Sequence, residues 1–351
     1  KKLRRLFRIH KNNKFDYPKI QYKVDLIIMS KNSNFSPKEI GKAILNSPVE
    51  YALQILGDKC TLLILKNIWL GRRKFEDFIT EIGVSRGTLS SRLKFLVDHG
   101  VIYKDIYQSA PRRFEYKLTD KGLSTYPIAS YLWQWNNLWT ENSDVPSELI
   151  HTKCDNYLDL STNCLHCNED VKIEDVAFEV NLDQKFEKLP LFKTRRSENS
   201  SIYDSDLVFR IEDLLGDRWT GLVYAGLLYG LKRFDEFNEA LGISTNILAD
   251  RLKKFLDAGV IKKDLYQHKP ARYEYRLTRK GRSGYLTAIH LHFWAHMWML
   301  NAKNTTISLI HKPCGNMLKI KTVCKACNGE VDPSNVSISA STSENVNISS
   351  G

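Results

Sequence analysis

The chain contains a long internal repeat, and this feature restricts its possible folds more than any other. When Gly71–Gly122 is aligned with Gly230–Gly281, 25 of the 52 positions are identical at an offset of 159 residues. A one-residue insertion further along shifts the offset to 160. A unit of this length that occurs twice predicts a tandem two-domain protein, because solenoids and propellers are built from shorter and more numerous repeats.

The hydrophobic pattern of one copy predicts several helices followed by a hairpin. Helical spacing of apolar residues indicates helices over 48–56, 58–70 and 75–82, and Ser85 is a suitable N-cap for a fourth. Alternating residues then predict strands over 101–107 and 113–118, and Thr119 caps a long helix that runs to Thr140. The turn at Gly83 between two short helices is typical of a helix-turn-helix, and the hairpin is its wing. We therefore expect an α+β fold, mainly α, with two tandem winged helix-turn-helix domains.

Six of the seven cysteines lie in two clusters with the same spacing, His-x2-Cys-x9-Cys-x2-Cys. The clusters are His151, Cys154, Cys164, Cys167 and His311, Cys314, Cys324, Cys327. Four soft or borderline ligands suit tetrahedral zinc and leave no position open for a catalytic water. We expect a zinc-ribbon-like Cys3His module after each domain, with two structural ions per chain. An iron–sulfur cluster and metal-free or redox-active thiols are the alternatives. Cys60 is interpreted as a small buried hydrophobe, and His166 as a bystander.

Composition and repeat boundaries divide the chain into seven parts. They are a basic extension (1–40, disordered or foreign to the functional protein), winged-helix domain 1 (41–145), zinc module 1 (146–180), a linker (181–206), winged-helix domain 2 (207–305), zinc module 2 (306–334) and a disordered tail (335–351). The net charge of +12 is weak evidence for a nucleic-acid partner, because residues 1–28 account for +7 of it. No apolar stretch is long enough to span a bilayer, so we expect a cytoplasmic protein that does not contact membranes.

Several short motifs recur in the two copies. They include Gly57-Asp58-Lys59, Arg92-Leu93-Lys94 and Glu115-Tyr116 in the first copy, with Gly216-Asp217-Arg218-Trp219 and the stretch "YEYRLTRKG" in the second. In these residues both copies resemble the HxlR-type branch of the MarR-like winged-helix transcriptional regulators. The resemblance covers most of 47–140 and 206–300, and it implies bacterial transcription control by a homodimer of single-domain subunits. Because this chain carries two domains, we expect an internal pseudo-dimer or a homodimer on double-stranded DNA.

The resemblance also bears on two smaller points. It implies that the helices carrying Trp135, Trp139, Trp294 and Trp298 form the pairing surface. Some relatives sense oxidants through a cysteine before the first helix, but Ser47 and Asp206 occupy that place here, so a thiol switch is not expected.

A recognition helix reads bases with the side chains that face away from its own core. The predicted contacts from the two fourth helices are Arg86, Ser90, Ser91, Lys94 and Thr245, Asn246, Asp250, Lys253. Arg86 and Asn246 are the leading base readers, the alternatives being phosphate or solvent. Arg92 and Arg251 recur at one position, where they contact phosphate or pair with an acid. The wings add Arg112, Arg113, Lys269 and Arg272. Because the two helix faces differ, we expect an asymmetric operator with half-sites about 10 base pairs apart.

We therefore expect a sequence-specific DNA-binding transcriptional regulator whose effector the sequence does not identify. An enzyme is not expected, because the sequence has no phosphate-binding loop and no convincing nucleophile context. The main alternative is a protein-interaction module in which one or both domains have lost DNA binding. A metal sensor is a third reading, against which complete Cys3His sites argue.

Overall fold

The computed structural model describes residues 35–139, 148–183, 216–298 and 306–338. Most of the expected extension, linker and tail lies outside these ranges. The first copy comprises α1 (Pro37–Leu45), α2 (Pro48–Leu56), α3 (Lys59–Trp69), α4 (Phe75–Ile82), α5 (Arg86–Asp98), β1 (Ile102–Gln108), β2 (Arg113–Leu118), α6 (Asp120–Leu123), α7 (Tyr126–Trp139), β3 (Leu149–His151), β4 (Asn156–Tyr157), β5 (Leu160–Cys164) and β6 (Val176–Val180).

The second copy repeats this order from the third helix onward. Its elements are α8 (Arg218–Leu228), α9 (Phe234–Leu241), α10 (Thr245–Asp257), β7 (Ile261–His268), β8 (Ala271–Leu277), α11 (Arg279–Ser283), α12 (Tyr285–Trp298), β9 (Ile307–His311), β10 (Asn316–Met317), β11 (Ile320–Cys324) and β12 (Val336–Ile338). Each copy thus contains a helix-turn-helix, a wing hairpin and a small β-rich module, as the repeat predicts.

Local chemistry explains where the helix-turn-helix elements begin and end. The Ser85 side chain caps α5 by accepting from the backbone N–H of Thr88 at 3.1 Å. Gly83 ends α4 with φ of 72°, a left-handed conformation that glycine adopts without strain. The cap and the turn together set the angle between α4 and α5.

Two predicted boundaries differ from the structure. The long helix expected from Thr119 to Thr140 is divided into α6 and α7. Gly122 in α6 approaches the backbone of Val101 so closely that a Cβ there would lie 2.1 Å from its carbonyl oxygen, and a turn at Ser124 and Thr125 separates α6 from α7. The boundary expected at residue 40 falls inside α1, whose Gly41 packs directly on the backbone of Ala240 in α9.

The two copies pair with each other within one chain. Trp135 of α7 donates its indole N–H to the carbonyl of Lys280 at 3.2 Å, and Trp294 of α12 donates to the carbonyl of Lys121 at 3.0 Å. The equivalent bonds one turn later join Trp139 to Ser283 and Trp298 to Ser124. Because both members of each pair recur at the repeat offset, the halves are related by a pseudo-two-fold axis.

Tyr131 and His290 occupy equivalent positions on α7 and α12 and stack with ring centroids 5.0 Å apart. Both are buried, at 4% and 6% exposure. The hydroxyl of Thr162 lies 2.7 Å from the Tyr131 hydroxyl and 3.0 Å from His290 Nε2. A hydrogen-bonded core of unlike residues therefore lies between the two halves.

The β-rich modules are interleaved. β5 pairs antiparallel with β11, and Thr162 faces its own counterpart, Thr322. β3 pairs with β4 and with β12, whereas β9 pairs with β10 and with β6, so each small sheet takes one strand from the other copy. The expected separation into modules 146–180 and 306–334 is therefore corrected, and β12 extends the ordered structure into the expected tail.

Candidate DNA interface and metal centres

The two predicted recognition helices, α5 and α10, present their expected faces to solvent. The exposed side chains are Arg86, Ser90, Ser91 and Lys94 on α5, and Thr245, Asn246, Asp250 and Lys253 on α10. Leu89 and Leu93 are buried on the opposite face of α5, as are Leu248 and Leu252 on α10. Amphipathic packing therefore fixes which side chains are available to a ligand.

Arg86 has a partner in this structure. Its guanidinium makes two hydrogen bonds to the carboxylate of Glu76, at 3.0 and 2.6 Å, and lies 5.0 Å from the ring of Phe75. Both charged side chains are about two-thirds exposed, at 66% and 67%. An ion pair so open to water contributes little to the stability of the fold.

Arg92 is corrected from a DNA contact to an internal ion pair. Its side chain is 5% exposed, and its Nη2 lies 2.8 Å from a carboxylate oxygen of Asp58. A buried guanidinium requires an anion, and Asp58 supplies one. Of the two alternatives given by the sequence, the structure supports pairing with an acid.

Arg251 repeats this arrangement with a second acid. It pairs with Asp217, the counterpart of Asp58, and with Asp250 on the exposed face of its own helix. Lys254 lies 3.3 Å from Asp250 as well. Asp250 thus has two cationic partners, and these offset the repulsion that an unpaired carboxylate would exert on phosphate.

The wings carry their basic residues at the hairpin tips. Arg112, Arg113, Lys269 and Arg272 are all exposed. The wing strands also expose apolar side chains, Ile106 at 44% and Leu265 at 44%. Tyr107 and Tyr266 beside them lie under the cations of Lys74 and Arg233. These outward apolar positions were not expected from the sequence, although their strand alternation could have indicated them.

The eight predicted metal ligands come together, but in a different grouping from the one expected. His151 and Cys154 meet Cys324 and Cys327, whereas Cys164 and Cys167 meet His311 and Cys314. Each centre therefore takes one pair of ligands from each copy, and the expectation of one complete cluster per copy is wrong. The pairing of β5 with β11 is the cause, because it places each Cys-x2-Cys turn beside the other copy's His-x2-Cys turn.

The arrangement of the ligand atoms fits a tetrahedral metal ion. In each group these atoms all lie within 4.8 Å of one another. In the first centre His151 Nδ1 lies 3.3 Å from the sulfurs of Cys154 and Cys327, and in the second Cys164 Sγ lies 3.9 Å from Cys314 Sγ. Tetrahedral ligands about 2.1–2.3 Å from zinc are separated by roughly 3.5–3.8 Å. The Nε2 atoms of both histidines are buried and face away from the ligands, without a hydrogen-bond partner in the described ranges.

The four turns that carry the predicted ligands share one backbone conformation. A residue with positive φ follows each turn: Asp155 at 54°, Gly315 at 68°, Asn168 at 63° and Asn328 at 54°. Glycine, asparagine and aspartate are the types that tolerate this conformation best. The backbone N–H of Asn156 lowers the pKa of Cys154 to about 6, and that of Asn316 does the same for Cys314. Each centre thus has one thiolate available at neutral pH, which favours metal binding, whereas burial raises the pKa of Cys324 in the first centre.

The two remaining residues of interest behave as expected. Cys60 is 5% exposed and lies in the core. Burial is the main cause that raises the pKa of its thiol to about 12, and the nearby Asp58 adds to it. His166 is exposed and belongs to neither metal group. Asp58 and Asp217 belong to the family motif, but the sequence alone did not indicate a role for them.

Comparison with known proteins agrees with this architecture. The HxlR-like helix-turn-helix family matches residues 55–144 and again 214–303. An uncharacterised HTH-type transcriptional regulator of Mycobacterium tuberculosis is 35% identical over 127 residues, which is 36% of this chain and 80% of the relative. Similar regulators of Bacillus subtilis and Synechocystis are 38% identical over 88 residues and 29% over 104, covering 25% and 29% of this chain and 82% and 77% of theirs. Among the described residues, no helix has the length and apolar character needed to cross a membrane. The chain belongs to the HxlR-like helix-turn-helix family.

Proposed function

We propose that this chain is a cytoplasmic, sequence-specific transcriptional regulator that binds double-stranded DNA through α5 and α10. The observation that carries the proposal is the pairing of the two copies within one chain, with an exposed recognition helix on each. Helix-turn-helix proteins bind two half-sites through two such helices related by a two-fold axis. A single chain therefore supplies the arrangement that dimeric regulators obtain from two.

The two helices would read different half-sites. α5 presents Arg86 and two serines, whereas α10 presents Asn246 and Asp250. Arginine pairs with guanine and asparagine with adenine in the major groove, so the preferred operator is asymmetric. The basic wing tips then contact the backbone or the minor groove on either side.

The two Cys3His centres would hold zinc in a structural role. Three thiolates and one imidazole complete a tetrahedral shell and leave no open position. Because each centre joins both copies, the ions would cross-link the halves of the pseudo-dimer.

Binding to genomic fragments, measured across a range of salt concentrations, tests the regulator proposal. We expect selective binding to few fragments. Substituting Lys94 and Lys253 by alanine should weaken this binding, and the slope of log affinity against log salt concentration should become shallower by the amount expected for about two lost phosphate contacts. Lys153 and Lys319, exposed on the metal modules, provide a control with the same loss of charge. Equal affinity for all fragments, or no binding by zinc-loaded protein in low salt, would favour the protein-interaction module.

A further inference from the structure

Asp58 and Asp217 face each other at the pseudo-two-fold axis. They are equivalent residues, and their backbones form an antiparallel bridge between the copies. The backbone N–H of Lys59 donates to the carbonyl of Gly216 at 3.0 Å as part of this contact. The two aspartates thus mark a point that belongs to both halves.

Each aspartate is held in place by its own helix. Asp58 caps α3 by accepting from the backbone N–H of Thr61 at 3.0 Å. Asp217 caps α8 by accepting from the N–H groups of Trp219 and Thr220 at 3.4 and 3.3 Å. The capping bonds restrict both carboxylates, because a side chain that moved away would leave helix N–H groups without an acceptor.

The same carboxylates receive the arginines of the recognition helices. Arg92 of α5 pairs with Asp58, and Arg251 of α10 pairs with Asp217. The two arginine side chains are 5% and 19% exposed and their aspartate partners 28% and 33%, so both ion pairs are partly buried and are screened less than exposed pairs. A continuous series of contacts therefore connects one recognition helix to the other: Arg92, Asp58, the backbone bridge, Asp217 and Arg251.

We propose that Arg92 and Arg251 are positioning residues, which set the separation of the two recognition helices by anchoring both to the Asp58–Asp217 bridge. This inference rests on the proposed DNA binding. A rotation or shift of α5 relative to α10 breaks an ion pair or displaces a capping carboxylate, so the bridge keeps both helices in one register. The arginines determine the half-site spacing that the protein accepts without contacting DNA.

The double variant Asp58→Asn/Arg92→Met removes the ion pair that anchors α5 to the bridge and leaves the backbone contacts of the bridge in place. Asparagine caps a helix as well as aspartate does, and methionine replaces the apolar stem of arginine without leaving an unpaired charge. The milder variant Asp217→Asn retains Asp250 as a partner for Arg251. The matched control is Lys325→Gln/Asp159→Asn, which removes an exposed ion pair of 3.0 Å between the copies that touches neither recognition helix.

The test uses a duplex that the wild-type full-length chain selects from a randomised DNA library. Affinity is measured for this duplex, for versions with one base pair added or removed between the half-sites, and for a single half-site. We expect the wild-type chain and the control to lose about tenfold or more on the altered spacings. The double variant should lose under about threefold on them, and should bind the single half-site as the wild type does.

The outcomes separate the two proposals. Spacing discrimination equal to wild type in a double variant that binds the single half-site overturns the positioning role. If the double variant does not bind the single half-site, it is misfolded, and the spacing preference of Asp217→Asn is measured in its place. A wild-type spacing preference in Asp217→Asn then overturns the inference. If the wild-type chain selects no duplex at all, the proposed function itself fails.

Discussion

His151 Nδ1 lies 3.3 Å from the sulfur of Cys327, although 176 residues separate the two in sequence. The contact joins the first copy to the second, and its counterpart joins Cys167 to His311 at the same distance. The two copies are therefore connected at their metal centres as well as at their helices.

The crossed grouping predicts how cysteine substitutions combine. Cys154→Ser with Cys327→Ser damages one centre only, so about one zinc ion per chain should remain. Cys154→Ser with Cys167→Ser removes a ligand from both centres, and the content should fall well below one. Metal analysis of the purified variants distinguishes these results, with Cys60→Ser as the control that retains about two. If the Cys154/Cys167 variant retained more zinc than the Cys154/Cys327 variant, the ligands would instead be grouped within each copy.

The tryptophan hydrogen bonds across the axis predict matched losses of stability. Trp135→Phe and Trp294→Phe each remove a donor to a carbonyl of the other copy, and each should lower the free energy of unfolding by about 1 kcal/mol. Urea unfolding monitored by circular dichroism measures the change. Tyr157→Phe, at a position 65% exposed, should leave stability unaltered. A tryptophan variant as stable as the wild type would show that these bonds contribute nothing.

The pair between Arg86 and Glu76 predicts a gain in DNA affinity when the acid is removed. Glu76→Gln leaves the guanidinium available to the operator, and affinity should rise about two- to fivefold, as expected from breaking an exposed pair. Asp235→Asn is the matched control, because Asp235 is the counterpart of Glu76 and the position equivalent to Arg86 holds Thr245. A fall in affinity for Glu76→Gln would mean that the acid orients Arg86 for binding.

Burial of His290 predicts a loss of stability in mild acid. Desolvation lowers the pKa of this imidazole to about 3 in the folded chain, below the unfolded value near 6.5. The unfolded chain therefore binds a proton that the folded chain does not, and stability falls as the pH decreases through this interval. Between pH 7 and pH 5 this residue should lower the free energy of unfolding by about 2 kcal/mol.

The variant His290→Gln isolates that contribution. Its unfolding free energy should fall less than that of the wild type over the same pH interval, with zinc content measured at each pH so that metal loss is recognised. Parallel curves of unfolding free energy against pH would show that His290 accepts a proton in the folded chain as readily as in the unfolded chain.

The chemistry of Cys60 predicts an unreactive thiol. With its pKa raised to about 12 by burial, it should resist iodoacetamide at pH 8 in the folded, zinc-loaded chain, since only the thiolate reacts. Mass spectrometry of the digested protein locates the label. After chelation the exposed Cys327 should react readily, which serves as the positive control. Labelling of native Cys60 at a rate similar to Cys327 would contradict its buried position.

Local features of the fold could be predicted from the sequence, whereas the joining of the copies could not. Ser85 and Gly83 specify the helix-turn-helix because caps and left-handed turns depend on nearby residues. The eight residues of the two candidate metal groups could be named from the sequence, but His-x2-Cys-x9-Cys-x2-Cys is equally compatible with one closed site and with two half-sites. Only the pairing of β5 with β11 decides between them. The sequence likewise did not decide whether Arg92 contacts phosphate or pairs with an acid. Its partner Asp58 lies 34 residues earlier, and no periodicity relates the two.

The stacking of Tyr131 on His290 bears on how the halves recognise each other. In a symmetric dimer a position beside the axis meets its own copy, so one residue type must suit both sides. Here tyrosine meets histidine, and a single threonine hydroxyl lies within hydrogen-bond distance of both. At this position the two halves are therefore complementary and not interchangeable, because each contributes a different ring to the stack that joins them.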